Sequence, residues 1–428
     1  MNNTFDLIED FDWFEDFEIE TNPLYSNSLS SSDNSEVNQS SNETNQSQNN
    51  RSPNEEDRLP SSGLVALLEE LFTLTEESDV PLTETVTVGN LEGTRFTFNF
   101  AEDTPQEVID GVKQAGKNWS SVLKDDVDLT IDFSFQPIDG LLGQTTPNFL
   151  ALDYSAVREA LAQDSTSSND QTAVANLPRE TVNYLINNTA ENDGSSTPYL
   201  DNNNSFNNSN INITTANAKA LGFEVEDIAT MLGLTPEDGV NMPDANVVFN
   251  SDFNWDYDPS DGIAADAYDF VGVVTHELGH GLGFFSNAAF LNSVSNTSIE
   301  RVIEELNTEE IQELSANSGL ESVADSTSAD RLFSENDYLP TTLDLFRFSP
   351  LSFAQDARDF TTSNIDGKYF SIDGGETEIA PMTEAFGFSH WQESLGVGLM
   401  DPTFRLGELE EISDTDLLAF DTIGWDVA

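Results

Sequence analysis

The chain has 428 residues, of which 79 are Asp or Glu and 15 are Lys or Arg, giving a formal net charge of -64; it contains no Cys. That charge excludes a protein that grips nucleic-acid backbones, because phosphates would be repelled almost everywhere, and it disfavours anionic membrane surfaces. Disulfides, thiol chemistry and thiolate-ligated zinc are excluded with Cys, while 37% hydrophobic residues, including 29 Phe, suffice for a true core.

Met1 to Glu20 carries eight acidic residues and no basic one, so the basic and apolar regions of a signal peptide are missing. Residues 1–60, rich in Ser, Asn, Glu and Gln, read as an acidic low-complexity leader without fixed structure. Residues 61–82 read as a linker holding a short apolar helix from Leu64 to Leu74. No stretch approaches the roughly 20 apolar residues of a membrane span.

The folded body is expected from residue 83, with one sub-domain over 83–285 and a second over 286–428. Thr94 to Phe100 alternates Phe96, Phe98 and Phe100, the period of a strand. Thr104-Pro105 then opens a helix, with Thr104 as N-cap, running to Leu123. Val127 to Phe135 alternates again, and strand, helix, strand is an α/β beginning. Residues 144–178 read as loop and short elements, and 186–214 as an Asn-rich insertion in which Asn187, Asn207 and Asn212 head N-x-[ST] triplets. Ala245 to Asn254 reads as a strand. Asp256, Asp258 and Asp261 follow it, with Asp266 and Asp269 close behind; these are hard oxygen ligands that suit calcium, although they do not match the EF-hand pattern. Val271 to Phe285 reads as a helix, 296–340 as helical in pieces, Thr341 to Phe348 as alternating, and Lys368 to Ile372 before Asp373-Gly374-Gly375 as half of a hairpin. Ser413 to Asp416 caps a last helix, and the chain closes through Ile423 to Val427 as a docked end.

The segment Thr275-His276-Glu277-Leu278-Gly279-His280 carries the chemistry. His276 and His280 are four residues apart, so they share a helical face and can reach one metal. Glu277 beside them can act as general base toward a water, the arrangement of zinc peptidases. The chain has only three His. A catalytic zinc takes three protein ligands and leaves one position open, and the remaining His390 is the expected third. Carboxylates at Glu300, Glu304, Glu305 or Asp401, and the position of Ser286, stay open as alternatives.

His276 to Gly283 reads HELGHGLG, which resembles the metzincin motif HExxHxxGxx[HD]. Where that family's compact form has its third ligand, this chain has Ser286. Ser389-His390-Trp391 followed by Leu399-Met400-Asp401-Pro402 is similar to the leishmanolysin-like subset, whose third His lies far downstream of an insertion, and to bacterial metalloproteases that share the ending IGWDV. The resemblance covers 94–135 and 245–427. It implies an α/β (α+β) zincin-like catalytic domain. A twisted mixed sheet would lie beside the active-site helix, and the C-terminal sub-domain would carry the Met-turn. It also implies His276, His280 and His390 as zinc ligands, Glu277 as base, Met400 beneath the ligands, and Gly283 as the glycine where the chain leaves the helix. The expected function is a secreted or extracellular, monomeric zinc endopeptidase acting on protein or peptide substrates, with calcium as a further cofactor and no nucleic-acid partner. A non-proteolytic zinc hydrolase and a catalytically silent binding protein of the same fold are the rivals. A serine or cysteine hydrolase lacks its Cys or a spare His, and a Rossmann enzyme lacks GxGxxG after a strand.

Like charges repel over a distance that salt shortens to about 3 Å at 1 M. The melting temperature is therefore expected to climb steeply between about 0.1 and 2 M NaCl; a flat or falling profile would remove the case for salt adaptation.

Overall fold

Alternating apolar residues build the central sheet. In the computed structural model, β1 (Leu82–Gly89) pairs antiparallel with β2 (Arg95–Ala101), whose Phe96, Phe98 and Phe100 are fully buried while the residues between them are half-buried. Helix α1 (Gln106–Val122) crosses over to β3 (Asp128–Gln136), parallel to β2, and buries Val108, Val112, Ala115 and Trp119 against the sheet. Thr104 is not its N-cap. Pro105 holds that place with ψ 143°, and the Thr104 amide is spent on the Ala101 carbonyl in the preceding turn. The structure describes residues 82–89, 93–138, 140–231, 242–288, 334–362, 367–383, 388–392 and 395–428. The leader, nearly all of the 61–82 linker with its Leu64–Leu74 helix, and the acidic stretch 296–333 lie outside them.

Residues 144–178 are more regular than expected. They hold most of β4 (Gly143–Pro147), then β5 (Phe149–Asp153), α2 (Tyr154–Asp164) and α3 (Ser168–Ala175). The buried face of β4 is Gly143, Thr145 and Pro147, which leaves no apolar alternation to read. The Asn-rich insertion forms β6 (Tyr184–Ile186), β7 (Tyr199–Asp201) and β8 (Asn210–Thr214), the last paired with β5. Its amides act as internal ties: Asn207 and Asn208 Nδ2 donate to Asp201 Oδ2 at 2.8 and 3.2 Å, and Asn187 Oδ1 accepts the Thr362 amide at 3.0 Å. Asn187 and Asn207 are fully buried and offer no glycan acceptor in the folded chain.

The strand expected over Ala245 to Asn254 stops at Asn250, where β9 (Ala245–Asn250) gives way to a turn held by the Asp252 amide on Asn250 Oδ1. It is an inner strand: the sheet order is β1-β2-β3-β9-β4, with β9 parallel to β3 and antiparallel to β4. β4 is therefore one edge and β1 the other. Two-residue strands β10 (Trp255–Asp256) and β11 (Tyr268–Asp269) lead into helix α4 (Phe270–Gly281). A continuous row of rings joins sheet to helix: Phe96–Phe98, Phe98–Phe100, Phe100–Phe133, Phe133–Phe249 and Phe249–Phe270 stand 5.8, 6.2, 5.5, 5.4 and 5.2 Å apart, within the range of favourable aromatic pairing. α1 lies so close to α4 that a Cβ on Gly111 would come 2.5 Å from the Phe270 ring, and the Trp119 indole donates to the Thr275 carbonyl at 2.8 Å.

The alternation at Thr341 to Phe348 is a 3-10 turn, Leu343–Phe346, followed by β12 (Arg347–Phe348). Asp344 forces the turn by accepting the Thr341 amide at 2.8 Å. β13 (Arg358–Asp359) joins β6 in parallel, while β14 (Tyr369–Phe370) pairs with β12 and with β15 (Ala380–Pro381), a wider return than a tight hairpin. Helix α5 (Asp414–Thr422) has Ser413 as N-cap in a capping box with Asp416. The tail beyond it is docked: Trp425 donates to the Leu282 carbonyl at 2.9 Å, and the Ala428 amide to the Val122 carbonyl at 2.8 Å. Burial and facing carboxylates push Asp125 and Asp164 at this end up to about 7. The product is a mixed α/β body with several sheets and a core that runs unbroken across residue 285. Among the described residues no helix is long and apolar enough to cross a membrane.

Glu410 faces the start of α4, where its amide donates to Asp269 Oδ2 at 3.3 Å. Burial first, then Glu408, Asp401 and Asp269, push its carboxyl up to about 8. Its folded pKa thus lies above the unfolded value of about 4.3, so the stability it confers is present at low pH and is lost as pH rises toward 8. Glu410→Gln is expected to match wild type near pH 4.5 and to melt progressively higher than wild type up to about pH 8. Thermal melts across that range check this; a difference that does not change with pH refutes it.

Candidate metal centre

Helix α4 begins with Asp269 as N-cap, whose Oδ1 accepts the Gly272 amide at 2.9 Å. Every one of its residues is buried, including His276, Glu277 and His280. The His276 and His280 rings share one face, 4.6 Å apart between centroids. The helix stops at Gly281. Gly283 then takes φ 115°, a conformation closed to side-chain-bearing residues, and turns the chain so that the Phe284 carbonyl meets His280 Nδ1 at 2.8 Å. His276 Nδ1 meets the Leu399 carbonyl at 2.8 Å. A carbonyl only accepts, so both Nδ1 atoms carry a proton, and in the neutral imidazoles both Nε2 atoms turn lone pairs toward the centre.

Those lone pairs meet. His280 Nε2 lies 3.0 Å from His276 Nε2 and 3.1 Å from His390 Nε2. The three imidazoles, all buried, form a group that converges on one point across 110 residues of chain. A zinc ion bound at about 2.0–2.1 Å with near-tetrahedral angles sets its nitrogens about 3.3 Å apart, close to the spacing found. Two Nε2 lone pairs at 3.0 Å repel unless a proton or a metal cation lies between them, and three converging imidazoles are a donor set that could hold a metal ion.

His390 is held from several sides. The Ser286 amide donates to Ser389 Oγ at 2.9 Å, and Ser286 Oγ donates to buried Asp344 at 2.5 Å. Ser286 therefore anchors the neighbour of the third imidazole rather than supplying a ligand. Phe388, at φ 61°, is gripped by cations on its ring, with Arg347 at 5.2 Å and Lys368 at 5.9 Å from its centroid. Met400 is fully buried and presses on α4: a Cβ on Gly279 would come 2.6 Å from Met400 Sδ.

Asp416 supports this whole arm, and the sequence shows only its capping role. Its carboxylate accepts the Trp391 indole at 2.7 Å, the Leu399 amide at 2.7 Å, the Met400 amide at 3.2 Å and the Ser413 amide at 2.8 Å. One buried carboxylate thus fixes the residue after His390 and the residue whose carbonyl orients His276. The signal open to sequence reasoning was the pairing of a capping Asp with a Trp and a Gly-Leu-Met turn just upstream.

Glu277 lies against the edge strand. Its Oε2 accepts from Thr145 Oγ1 at 2.6 Å, and a Cβ on Gly143 would come 3.1 Å from its Oε1. Glu300, Glu304 and Glu305 fall outside the described residues. Asp401, one residue beyond Met400, is not in the converging group. Nor does the structure gather Asp256, Asp258 and Asp261 about one point. Asp256 accepts the Asp258 and Ala264 amides, and Asp258 accepts the Ser260 amide and hydroxyl, so these carboxylates shape a turn.

A family model described as SPBPB7E8-like matches residues 228–344, about a quarter of the chain and a stretch that contains all of α4. No curated protein and no solved structure matches the chain.

Partners that orient metal ligands typically govern affinity by about 10–100-fold. Asp416→Asn turns an NH2 toward donors that need an acceptor, and is expected to weaken metal binding by about that factor. Competition with a chromophoric chelator measures it; wild-type affinity in the variant would show that the arm is held by other means.

Proposed function

We propose that the protein is a zinc-dependent endopeptidase of metzincin type, resembling the leishmanolysin-like subset, with His276, His280 and His390 as ligands and Glu277 as general base. The observation that carries this reading is the approach of three buried Nε2 atoms at 3.0 and 3.1 Å, two of them oriented by backbone carbonyls. Met400 against Gly279 takes the place of the Met-turn residue, and the left-handed Gly283 that of the exit glycine.

When bound, zinc would acidify water and polarise a peptide carbonyl. The protein supplies the rest. Glu277 receives a proton from the attacking water and returns it to the leaving amine. Thr145 holds one of its oxygens at 2.6 Å and so sets the direction of the carboxylate. The outer edge of β4 is unpaired among the described strands, and an extended peptide can add to it as a further strand. Because Thr145 and Gly143 belong to that strand, the base and the edge are built as one piece. Calcium and an extracellular setting complete the proposal, and both suit the charge of -64.

Glu277→Gln keeps all three imidazoles and removes the base. It is expected to retain zinc at wild-type stoichiometry and to lose peptide hydrolysis by at least about a hundredfold. Metal analysis beside a casein or peptide-library digest decides. Near-normal hydrolysis with zinc bound would sink the assignment, and ester or amide turnover without peptide cleavage would favour a non-proteolytic hydrolase.

A further inference from the structure

Glu277 meets β4 with both of its carboxylate oxygens, and the strand treats them differently. Alternate residues of a strand face one way, so Gly143 and Thr145 share the face toward α4, and both are buried. Thr145 Oγ1 donates to Oε2 at 2.6 Å. The Glu277 carbonyl lies 3.0 Å from the same hydroxyl, but a hydroxyl has one proton, and the charged oxygen is both nearer and the stronger acceptor. Gly143 stands at Oε1 instead. A Cβ there would come 3.1 Å from Oε1, 3.2 Å from Cγ of Glu277 and 3.2 Å from the Phe249 ring. One strand residue thus gives a bond to Oε2, and the other gives room to Oε1.

Thr145 is itself fixed. Its methyl faces Gly281, where a Cβ would come 3.8 Å from Cγ2, and a β-branched side chain has few rotamers to choose from. Thr145 is 1% exposed and Glu277 0%, so the bond lies out of reach of bulk water and is the stronger for it. The need for such a clamp follows from glutamate. Its terminal torsion is broad and roughly two-fold, so an unclamped carboxylate spreads over orientations of which few face a reacting atom.

We infer that β4 divides the Glu277 carboxylate between two tasks: Thr145 is a positioning residue that holds Oε2, and Oε1 is the oxygen that carries the proton. On the endopeptidase reading, on which this assignment rests, a lone pair of the water oxygen forms the bond to the peptide carbonyl carbon while one water proton moves to Oε1. The C–N bond then breaks, its electron pair stays on nitrogen, and the proton passes from Oε1 to that nitrogen. Glu277 is returned as the carboxylate it began as, and Thr145 keeps its hydroxyl proton throughout.

The test uses the full chain, loaded with zinc for turnover and metal-free for stability. Thr145→Val keeps the shape of the side chain and removes the donor. It is expected to lower kcat about 10–100-fold while KM and metal content stay at wild-type values. Thr145→Ser restores the donor and should recover kcat to within a few-fold of wild type. Gly143→Ala presses on Oε1 and should also lower kcat, whereas it would be almost silent were Oε2 the working oxygen. In metal-free protein, Thr145→Val should lower the melting temperature about twice as much in the wild-type background as in Glu277→Gln, because a hydrogen bond to a charged acceptor is about twice as strong as a neutral one. If Thr145→Val does not fold, Thr145→Ala is read the same way. Wild-type kcat in Thr145→Val or in Gly143→Ala, no recovery in Thr145→Ser, or equal drops in melting temperature in the two backgrounds overturns the inference. A wild-type protein that binds zinc and cleaves no peptide sinks the endopeptidase reading instead, and the melting comparison still decides whether Thr145 clamps the carboxylate.

Discussion

Two buried imidazole nitrogens 3.0 Å apart set the terms for the rest of the molecule. In the neutral rings Nδ1 carries the proton that meets a carbonyl, so the Nε2 lone pairs face each other and repel until a proton or a metal ion lies between them. Everything nearby serves to hold that arrangement. Gly283 bends the chain to deliver one carbonyl, and Asp416 positions the loop that delivers the other. Ser286 and the cations on Phe388 bring in the third ring from the far side.

The helix with its two His and the third His were legible because histidine is so scarce here that spacing and elimination do the work. The phenylalanine strands were legible because a one-sided sheet alternates, and α1 because it carries a broad apolar face. What escaped was structure held by side-chain polarity. β4 has no apolar period; its buried face is Gly143, Thr145 and Pro147. That hid this edge of the sheet. The Asn-rich insertion looked loose because composition counts amides as polar without showing that they are tied to Asp201, Thr362 and carbonyl groups. Asp416 showed only its capping role, in a chain that has 79 Asp and Glu residues.

Acidity therefore has two faces in this protein. Half-buried Asp256 and exposed Asp258 close turns by accepting neighbouring amides. Buried ones are structural anchors: Asp344 gathers Ser286 and Thr341, and Asp244 takes Lys219 in an ion pair of 2.7 Å with its own side chain almost wholly enclosed. Counting charge cannot separate these roles; the donor each oxygen meets does.

The crowding of α4 has an evolutionary consequence. Its glycines are not spacers. A methyl at 272, 279 or 281 would meet Asp269, Met400 or Ala245 at 2.5, 2.6 or 3.3 Å. With every position enclosed, twelve consecutive residues have almost no neutral substitutions open to them. The outer shell has no such restriction and can drift toward acid one residue at a time. Descendants of a common ancestor would then come to share little more than this one short word of sequence while keeping the frame around it.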